Sequence, residues 1–215
     1  MEHPDIIVIG SGNAALCAAI AALEKGASVL IIEKVNKQEM GGNSRYTAGA
    51  MRFVYNDDQD ILPLLNKPKD KKITQTDFGA YTKKKFQLDL YGFNEGKPLS
   101  IHQQTLIDKS YETLKWMGTH NIKFDPIYSR QTFEKEGRYI FWGGLTLEAK
   151  GEGVGLVDAE LKAFRKLKGK ILYETAAEEL IVEDGKVIGV KCTTPKGTKD
   201  LYAKAIILGL SLIHI

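Results

Sequence analysis

An α/β fold, its parallel sheet interrupted by a smaller α+β insertion, is what this 215-residue sequence predicts. Three observations carry that expectation. Within residues 5–33 a β-branched run, a glycine turn, an Ala/Leu/Ile-rich stretch and a second apolar run follow one another. Near residue 56 the character of the chain changes, as Asp57, Asp58, Asp60, Pro63 and Pro68 punctuate a polar stretch. After residue 170, strand-like runs separated by Asp184-Gly185 and Pro195-Lys196-Gly197 read as a β-meander before a last apolar strand.

Asp5 to Ile9 has the continuous apolar character of a strand covered on both faces. Gly10-Ser11-Gly12-Asn13-Ala14-Ala15 makes the turn. From Asn13 to Lys25 no Pro or Gly interrupts a run of good helix formers. Gly26 ends that helix, and Ser28 to Glu33 form the second strand of a βαβ unit. Gly10 permits the tight bend, Gly12 lets backbone approach a pyrophosphate, and Ala15 stands at the close helix–strand contact of a Rossmann-like fingerprint. The helix start offers N–H groups and a partial positive charge to phosphates. Glu33 lies at the spacing of an acid that accepts hydrogen bonds from an adenosine ribose, with Lys34 beside it. An acid rather than Arg at 33 disfavours a 2′-phosphate.

Composition bounds the partners. Charged residues are 27% and hydrophobic ones 43% of the chain, ordinary values for a globular protein. A net charge of +3 is too small to argue for nucleic acid. The basic stretch of Lys67, Lys69, Lys71, Lys72 and Lys83 to Lys85 lacks the interleaved aromatics of a stacking platform and reads as a solvated face. Cys17 and Cys192 are distant and unpaired in motif, so both are expected reduced and buried. The four histidines have no metal-ligand spacing, and no metal is expected. The first strand begins almost at Met1, and no apolar run is long enough to span a membrane. A cytoplasmic location without a transmembrane segment is the expectation.

Gly41-Gly42-Asn43-Ser44-Arg45-Tyr46-Thr47-Ala48-Gly49-Ala50 follows the second strand where a nicotinamide-binding domain would move to another crossover helix. Such a loop can lay backbone N–H groups and short hydroxyls along a cofactor. Here the chain resembles the fumarate reductase/succinate dehydrogenase flavoprotein family, through GSGNAA, Glu33 and GGNSRYTAGA. Within it, GGNSRYTAGAMRF and Phe141-Trp142-Gly143-Gly144-Leu145 are similar to the FAD-dependent tricarballylate dehydrogenase branch. The resemblance covers nearly all of Asp5 to Gly209. It implies FAD as cofactor, with Gly41 to Ser44 and Thr47 to Gly49 around the flavin and its pyrophosphate. Some relatives attach FAD through a histidine in this loop; no histidine lies between His3 and His102, and Asn43 stands about where it would be. Non-covalent FAD is therefore expected.

The domains expected are an FAD-binding part at 1–55, the start of a capping domain at 56–147, and a second FAD-binding part at 148–209. Inside the insertion, Ser100 with Gln103 forms a plausible capping box. Ile107, Tyr111, Leu114 and Trp116-Met117 then give one apolar face. Thr132 to Phe141 reads as a hairpin around Glu136-Gly137. Gly151 to Gly155 opens a turn into a helix with Val157, Leu161, Phe164 and Leu167 on one side. That turn serves equally as a re-entry between domains or as backbone facing the flavin or an anionic substrate. Ile171 to Thr175 returns to a strand, a hairpin turns at Asp184-Gly185, and Leu201 to Gly209 reads as one buried strand. The resemblance implies that Ala177 meets the adenine and that Gly209 belongs to a further FAD contact.

Leu210 to Ile215, LSLIHI, resemble the translation of a sequencing adapter and are expected to be a non-native tail on a truncated chain. The resemblance implies hydride transfer between flavin and a carbon–carbon bond of a di- or tricarboxylic acid such as tricarballylate, succinate or fumarate. A separate electron donor or acceptor is possible. Arg45, Arg52 and the turn at Gly153 to Gly155 are candidates for holding carboxylates. No catalytic residue is assigned, because the family's proton-handling arginine would lie past Gly209. A related flavoprotein acting on a 3-ketosteroid, a non-catalytic FAD-binding fragment and an enzyme using NAD alone are the alternatives; the 41–49 loop argues against the last.

Overall fold

The structure, a computed structural model, describes residues 3–210. Of the tail expected at 210–215, only Leu210 lies among the described residues. The chain forms two compact units, residues 1–47 with 153–215 and residues 48–152.

In the first unit, β1 (Ile6–Ile9) and β2 (Val29–Ile32) run parallel and are joined by α1 (Asn13–Glu24). Ile7, Val8, Ile31 and Ile32 are fully buried, which is why these strands read as unbroken apolar runs. α1 buries Ala15, Leu16, Ala19 and Ile20, a single face at helical spacing. A 3₁₀ turn at Gly42–Tyr46 closes this part of the unit.

The second unit contains β3 (Ala50–Met51), α2 (Asp58–Ile61), α3 (Lys71–Thr74), β4 (Thr76–Asp77), α4 (Lys83–Phe93) and α5 (Ile101–Thr119). It continues with β5 (Phe124–Pro126), β6 (Thr132–Lys135), β7 (Arg138–Phe141) and β8 (Leu147–Ala149). The strands make two small sheets, ordered β3-β8-β5 and β4-β7-β6. α5 starts at the Ser100–Gln103 capping box with both reciprocal bonds formed. Its buried face is Ile107, Ser110, Leu114 and Met117; Tyr111 and Trp116 flank it half-buried. Glu136 and Gly137, both at positive φ, form the tight β6–β7 turn.

The chain re-enters the first unit through α6 (Glu152–Lys166) and β9 (Lys170–Leu172). The meander β10 (Ala176–Glu183), β11 (Lys186–Thr194) and β12 (Gly197–Tyr202) follows, then β13 (Ala205–Leu208). β13, β1, β2 and β9 form one parallel sheet in that order. Val190, Cys192 and Ala203 pack with Ile7, Ile9 and Ile32, so the meander shares a core with the sheet.

Three expectations change. The unit boundaries fall after Thr47 and Glu152 rather than after 55 and 147, because β3 pairs with β8 and ties both flanks to the insertion. Leu201 to Gly209 is not one strand: Leu201 and Tyr202 end β12, and β13 begins at Ala205. β13 is a sheet edge with Ala205 and Leu208 exposed, not a buried strand. On α6 the buried face is Gly153, Leu156, Val157, Glu160, Ala163 and Phe164, rotated from the expected stripe so that Glu160 takes the place given to Leu161.

Candidate functional site

The predicted phosphate turn is clamped between two chain segments of the first unit. Gly10 adopts φ +98, and a Cβ there would lie 2.8 Å from the Gly209 carbonyl oxygen. Its N–H bonds to Ile32 O at 2.9 Å, fastening the turn to the end of β2. A Cβ on Gly12 would stand 3.2 Å from Ser44 Oγ, so the loop already approaches the turn closely on that side. Ala15 is fully buried, and a Cβ on Gly209 would come within 2.5 Å of Ala15 Cβ. The third fingerprint position thus makes its close contact with the end of the β13 segment.

At the start of α1, the Asn13 N–H donates to Ser44 Oγ at 3.1 Å. The N–H groups of Ala14 and Ala15 meet no acceptor among the described residues. They are the donors that a helix start holds for an anion. Glu33 directly follows β2 and is 7% exposed. Its Oε2 accepts from Ser11 Oγ, and its Oε1 accepts from the Val35 N–H at 3.1 Å. Ser11, buried in turn, accepts from the Gly41 N–H at 3.0 Å. One network therefore links turn, acid and loop. A carboxylate offers about four lone-pair sites, so Glu33 retains acceptor capacity toward a ribose.

Gly41 is buried at φ +107, with a Cβ position 2.9 Å from Val157 on α6. Gly42 and Asn43 are exposed and Ser44 half-buried. Thr47 accepts from the Gly153 N–H at 2.9 Å. Ala48 and Gly49 belong to the second unit, where Gly49 O accepts from the Ala149 N–H at 2.8 Å. Lys34 is exposed. Ala177 packs its side chain on the shared core, and the β10–β11 ladder slips between Ala177 and Glu179. Such a bulge releases backbone groups from the ladder.

These residues fit a dinucleotide. Two N–H donors at a helix start and an acid at the end of the neighbouring strand stand in one unit, with glycines where backbone must come close. The carboxylate-holding candidates are different. Arg45 Nη1 bonds Asp158 Oδ1 at 3.1 Å, and Arg52 Nη1 bonds Tyr81 Oη at 2.9 Å and Asp89 Oδ2 at 3.3 Å. Gly153 presses against the 44–47 loop: its Cβ would stand 2.3 Å from Ser44 O and 2.6 Å from Thr47 O. Its N–H already serves Thr47, which favours a structural use for that turn. A polar hollow of about 340 Å³ in the second unit, lined by Lys67, Lys72, Tyr128 and Lys150 among others, contains none of the predicted site residues.

Sequence reasoning missed Glu160. It is fully buried, with Oε1 3.5 Å from Cys17 Sγ. Burial pushes its carboxyl up to about 8. The signal was its spacing from Gly153, Leu156, Val157 and Phe164, which an apolar-only pattern passes over. Cys17 is half-buried and free, as is the buried Cys192. Burial and then Glu160 raise the Cys17 thiol well above the ordinary thiol range. Among the described residues, no helix is long and apolar enough to cross a membrane.

Comparison with known proteins identifies the family and the cofactor. The chain is 28% identical to an NADH:acrylate oxidoreductase of Vibrio harveyi, over 92% of this chain and 23% of that protein. It is 26% identical to an NADH:fumarate oxidoreductase of Klebsiella pneumoniae (strain 342), over 95% of this chain and 20% of that protein. The chain thus spans about a quarter or less of these two curated relatives. A 3-ketosteroid Δ1-dehydrogenase from Sterolibacterium denitrificans superposes with a TM-score of 0.74, over 97% of this chain and 48% of that one; at 16% identity this shows the fold alone. The sequence matches the FAD binding domain family over residues 5–209, so the cofactor is FAD and the chain belongs to that family.

Proposed function

We propose that this chain is the cofactor-holding portion of an FAD-dependent oxidoreductase that moves a hydride between flavin and a carbon–carbon bond beside a carboxylate. The observation that carries the reading is the joint placement of the Ala14 and Ala15 N–H donors and the Glu33 acid, within a chain of the FAD binding domain family. Both curated relatives named above are oxidoreductases of unsaturated carboxylates, acrylate and fumarate, which supports this substrate class. A di- or tricarboxylic acid such as fumarate, succinate or tricarballylate is the proposed substrate, and NADH or another electron carrier the proposed partner.

FAD, when bound, supplies the ring that accepts or donates the hydride. The chain's own residues bind and orient it. The N–H groups of Ala14 and Ala15 would hold the pyrophosphate, Glu33 would accept from ribose hydroxyls, and the Ser11 bond fixes the rotamer of that acid. Gly41 to Ser44 line the cofactor, and Asn43, where a histidine would be needed for attachment, leaves it non-covalent. Lys34, Thr47, Ala177 and Gly209 complete the proposed cofactor site within the first unit. Residues 48–152 are the beginning of a capping domain. A 3-ketosteroid substrate is a second reading, supported by 37% identity over 62 residues to a KsdD-like steroid dehydrogenase of Mycolicibacterium smegmatis, since oxidation beside a carbonyl is the same class of chemistry.

The test is to record the visible spectrum of the purified protein and then assay it with a redox dye. A flavin spectrum released wholly into the supernatant on acid precipitation is expected, with turnover of fumarate, acrylate, succinate or tricarballylate once the chain carries the further length its relatives have. Turnover of a 3-ketosteroid alone would favour the second reading. A colourless protein that binds NAD but not added FAD would overturn both.

A further inference from the structure

Among the described residues, Glu160 is the one fully buried acid whose use the proposed cofactor site leaves open. It sits at the centre of the inward face of α6, with Oε1 3.5 Å from Cys17 Sγ on α1. Its Oε2 has no hydrogen-bond partner among the described residues. Cys17 Sγ stands 3.4 Å from Asn13 Oδ1, and the Asn13 N–H is bonded to Ser44 Oγ at 3.1 Å. A line of contacts thus runs from a buried carboxyl to the first residue of the phosphate-facing helix.

The proton count along this line is informative. A thiol carries one proton, and both Asn13 Oδ1 and an ionised carboxylate only accept. With Glu160 ionised, the sulfur can serve one neighbour and must leave the other unpaired. With Glu160 protonated, its O–H donates to Sγ while the S–H donates to Asn13, and both contacts are satisfied. Burial favours the same state, holding the carboxyl at about 8 and keeping the thiol protonated. Cys17 is the one titratable group set against the carboxyl among the described residues. The charged side chains nearest in sequence on α6 turn away: Asp158 pairs with Arg45, Lys162 is exposed, and Arg165 Nη2, a turn further on, bonds Tyr173 Oη at 3.4 Å.

We propose that Glu160 is a positioning residue for FAD, a buried proton carrier that acts through Cys17 and Asn13 on the first turn of α1 and whose ionisation weakens cofactor binding. When the proton leaves, the S–H turns to the carboxylate and Asn13 Oδ1 loses its donor. A negative charge then stands behind the N–H groups offered to the pyrophosphate, where a dry interior transmits it strongly. By reciprocity, bound FAD holds the proton on Glu160. The inference rests on the reading that the start of α1 holds the pyrophosphate.

FAD is removed from the purified protein and its dissociation constant measured by flavin fluorescence between about pH 6.5 and 9.5, in the unmodified protein and in Glu160→Gln. The unmodified protein is expected to lose affinity on the order of tenfold, with a midpoint near the carboxyl value of about 8. Glu160→Gln, neutral throughout, is expected to give a flat profile at the low-pH affinity. An infrared band of a protonated carboxylic acid at neutral pH, absent from Glu160→Gln, is the companion readout. A flat profile in the unmodified protein, or the same slope in Glu160→Gln, overturns the proposal. If Glu160→Gln fails to fold, the infrared band and its loss on raising the pH decide alone. Gly12→Val separates the two readings: unchanged FAD affinity overturns the phosphate turn itself, whereas weakened FAD with a flat pH profile overturns only the role of Glu160.

Discussion

Glu33 and Glu160 are buried carboxyls of the same unit, and their surroundings are opposite. Glu33 stands at the end of β2, where the Ser11 hydroxyl and the Val35 N–H reach both of its oxygens. Glu160 stands between two helices, whose backbone donors are consumed within each helix, and finds a single thiol. A strand end exposes N–H groups to a side chain; a helix flank does not. Burial alone therefore does not decide what a carboxyl does. The donors within reach decide it.

That contrast can be broken at several points. The largest effect is expected at Glu160→Leu, which removes the buried polar group while filling its volume. Because the folded carboxyl sits near 8 rather than 4.5, the folded state holds a proton that the unfolded chain has lost. Stability is then fully present below about pH 4.5, falls as pH rises, and is lost through about 8, by roughly 4 kcal/mol. Denaturant unfolding should show Glu160→Leu ahead by about 3 kcal/mol near pH 8 and much less near pH 5. Equal gaps at both pH values would show that Glu160 is not neutral in the fold.

Glu33→Ala should go the other way, costing about 2–3 kcal/mol by leaving the Ser11 hydroxyl and the Val35 N–H without their acceptor. The same variant should weaken FAD, which fluorescence titration would read. Next comes Ser11→Ala, at about 1–2 kcal/mol, since it strips a donor from Glu33 and an acceptor from the Gly41 N–H. A variant as stable as the parent would mean that water replaces the hydroxyl without loss. Smallest should be Cys17→Ala, under about 1 kcal/mol at pH 7, because sulfur is a weak partner on both sides. A larger loss by thermal unfolding would assign the thiol a packing role beyond the relay.

How much of this was legible depends on where each residue's partners lie. The βαβ unit, the capping box at Ser100–Gln103 and the turns at Glu136-Gly137 and Asp184-Gly185 were readable because each is settled by neighbours a few residues away. The Rossmann-like turn and Glu33 were readable from spacing. The partners of Glu33 were not, since Ser11 is 22 residues distant in sequence. The candidate arginines illustrate the reverse error. Arg45 and Arg52 look available in a sequence, yet Asp158 and Asp89 engage them across more than 30 residues each.

From sequence alone came the parallel sheet, the helix that follows the glycine turn and the meander, because period, glycine position and strand composition are local properties; the cofactor class came from the resemblance of GSGNAA and GGNSRYTAGA to a flavoprotein family. Only the tertiary structure could set the domain edges, since they depend on β3 finding β8 about a hundred residues later. It also decided that β13 is an edge, that Ala15 meets Gly209, and that α6 turns Glu160 inward. An acid in a helical pattern is assigned to solvent unless its flanking turns are known to be covered. Here Gly153 lies against the carbonyls of the 44–47 loop and Phe164 is fully buried, so the residue between them has no route to water.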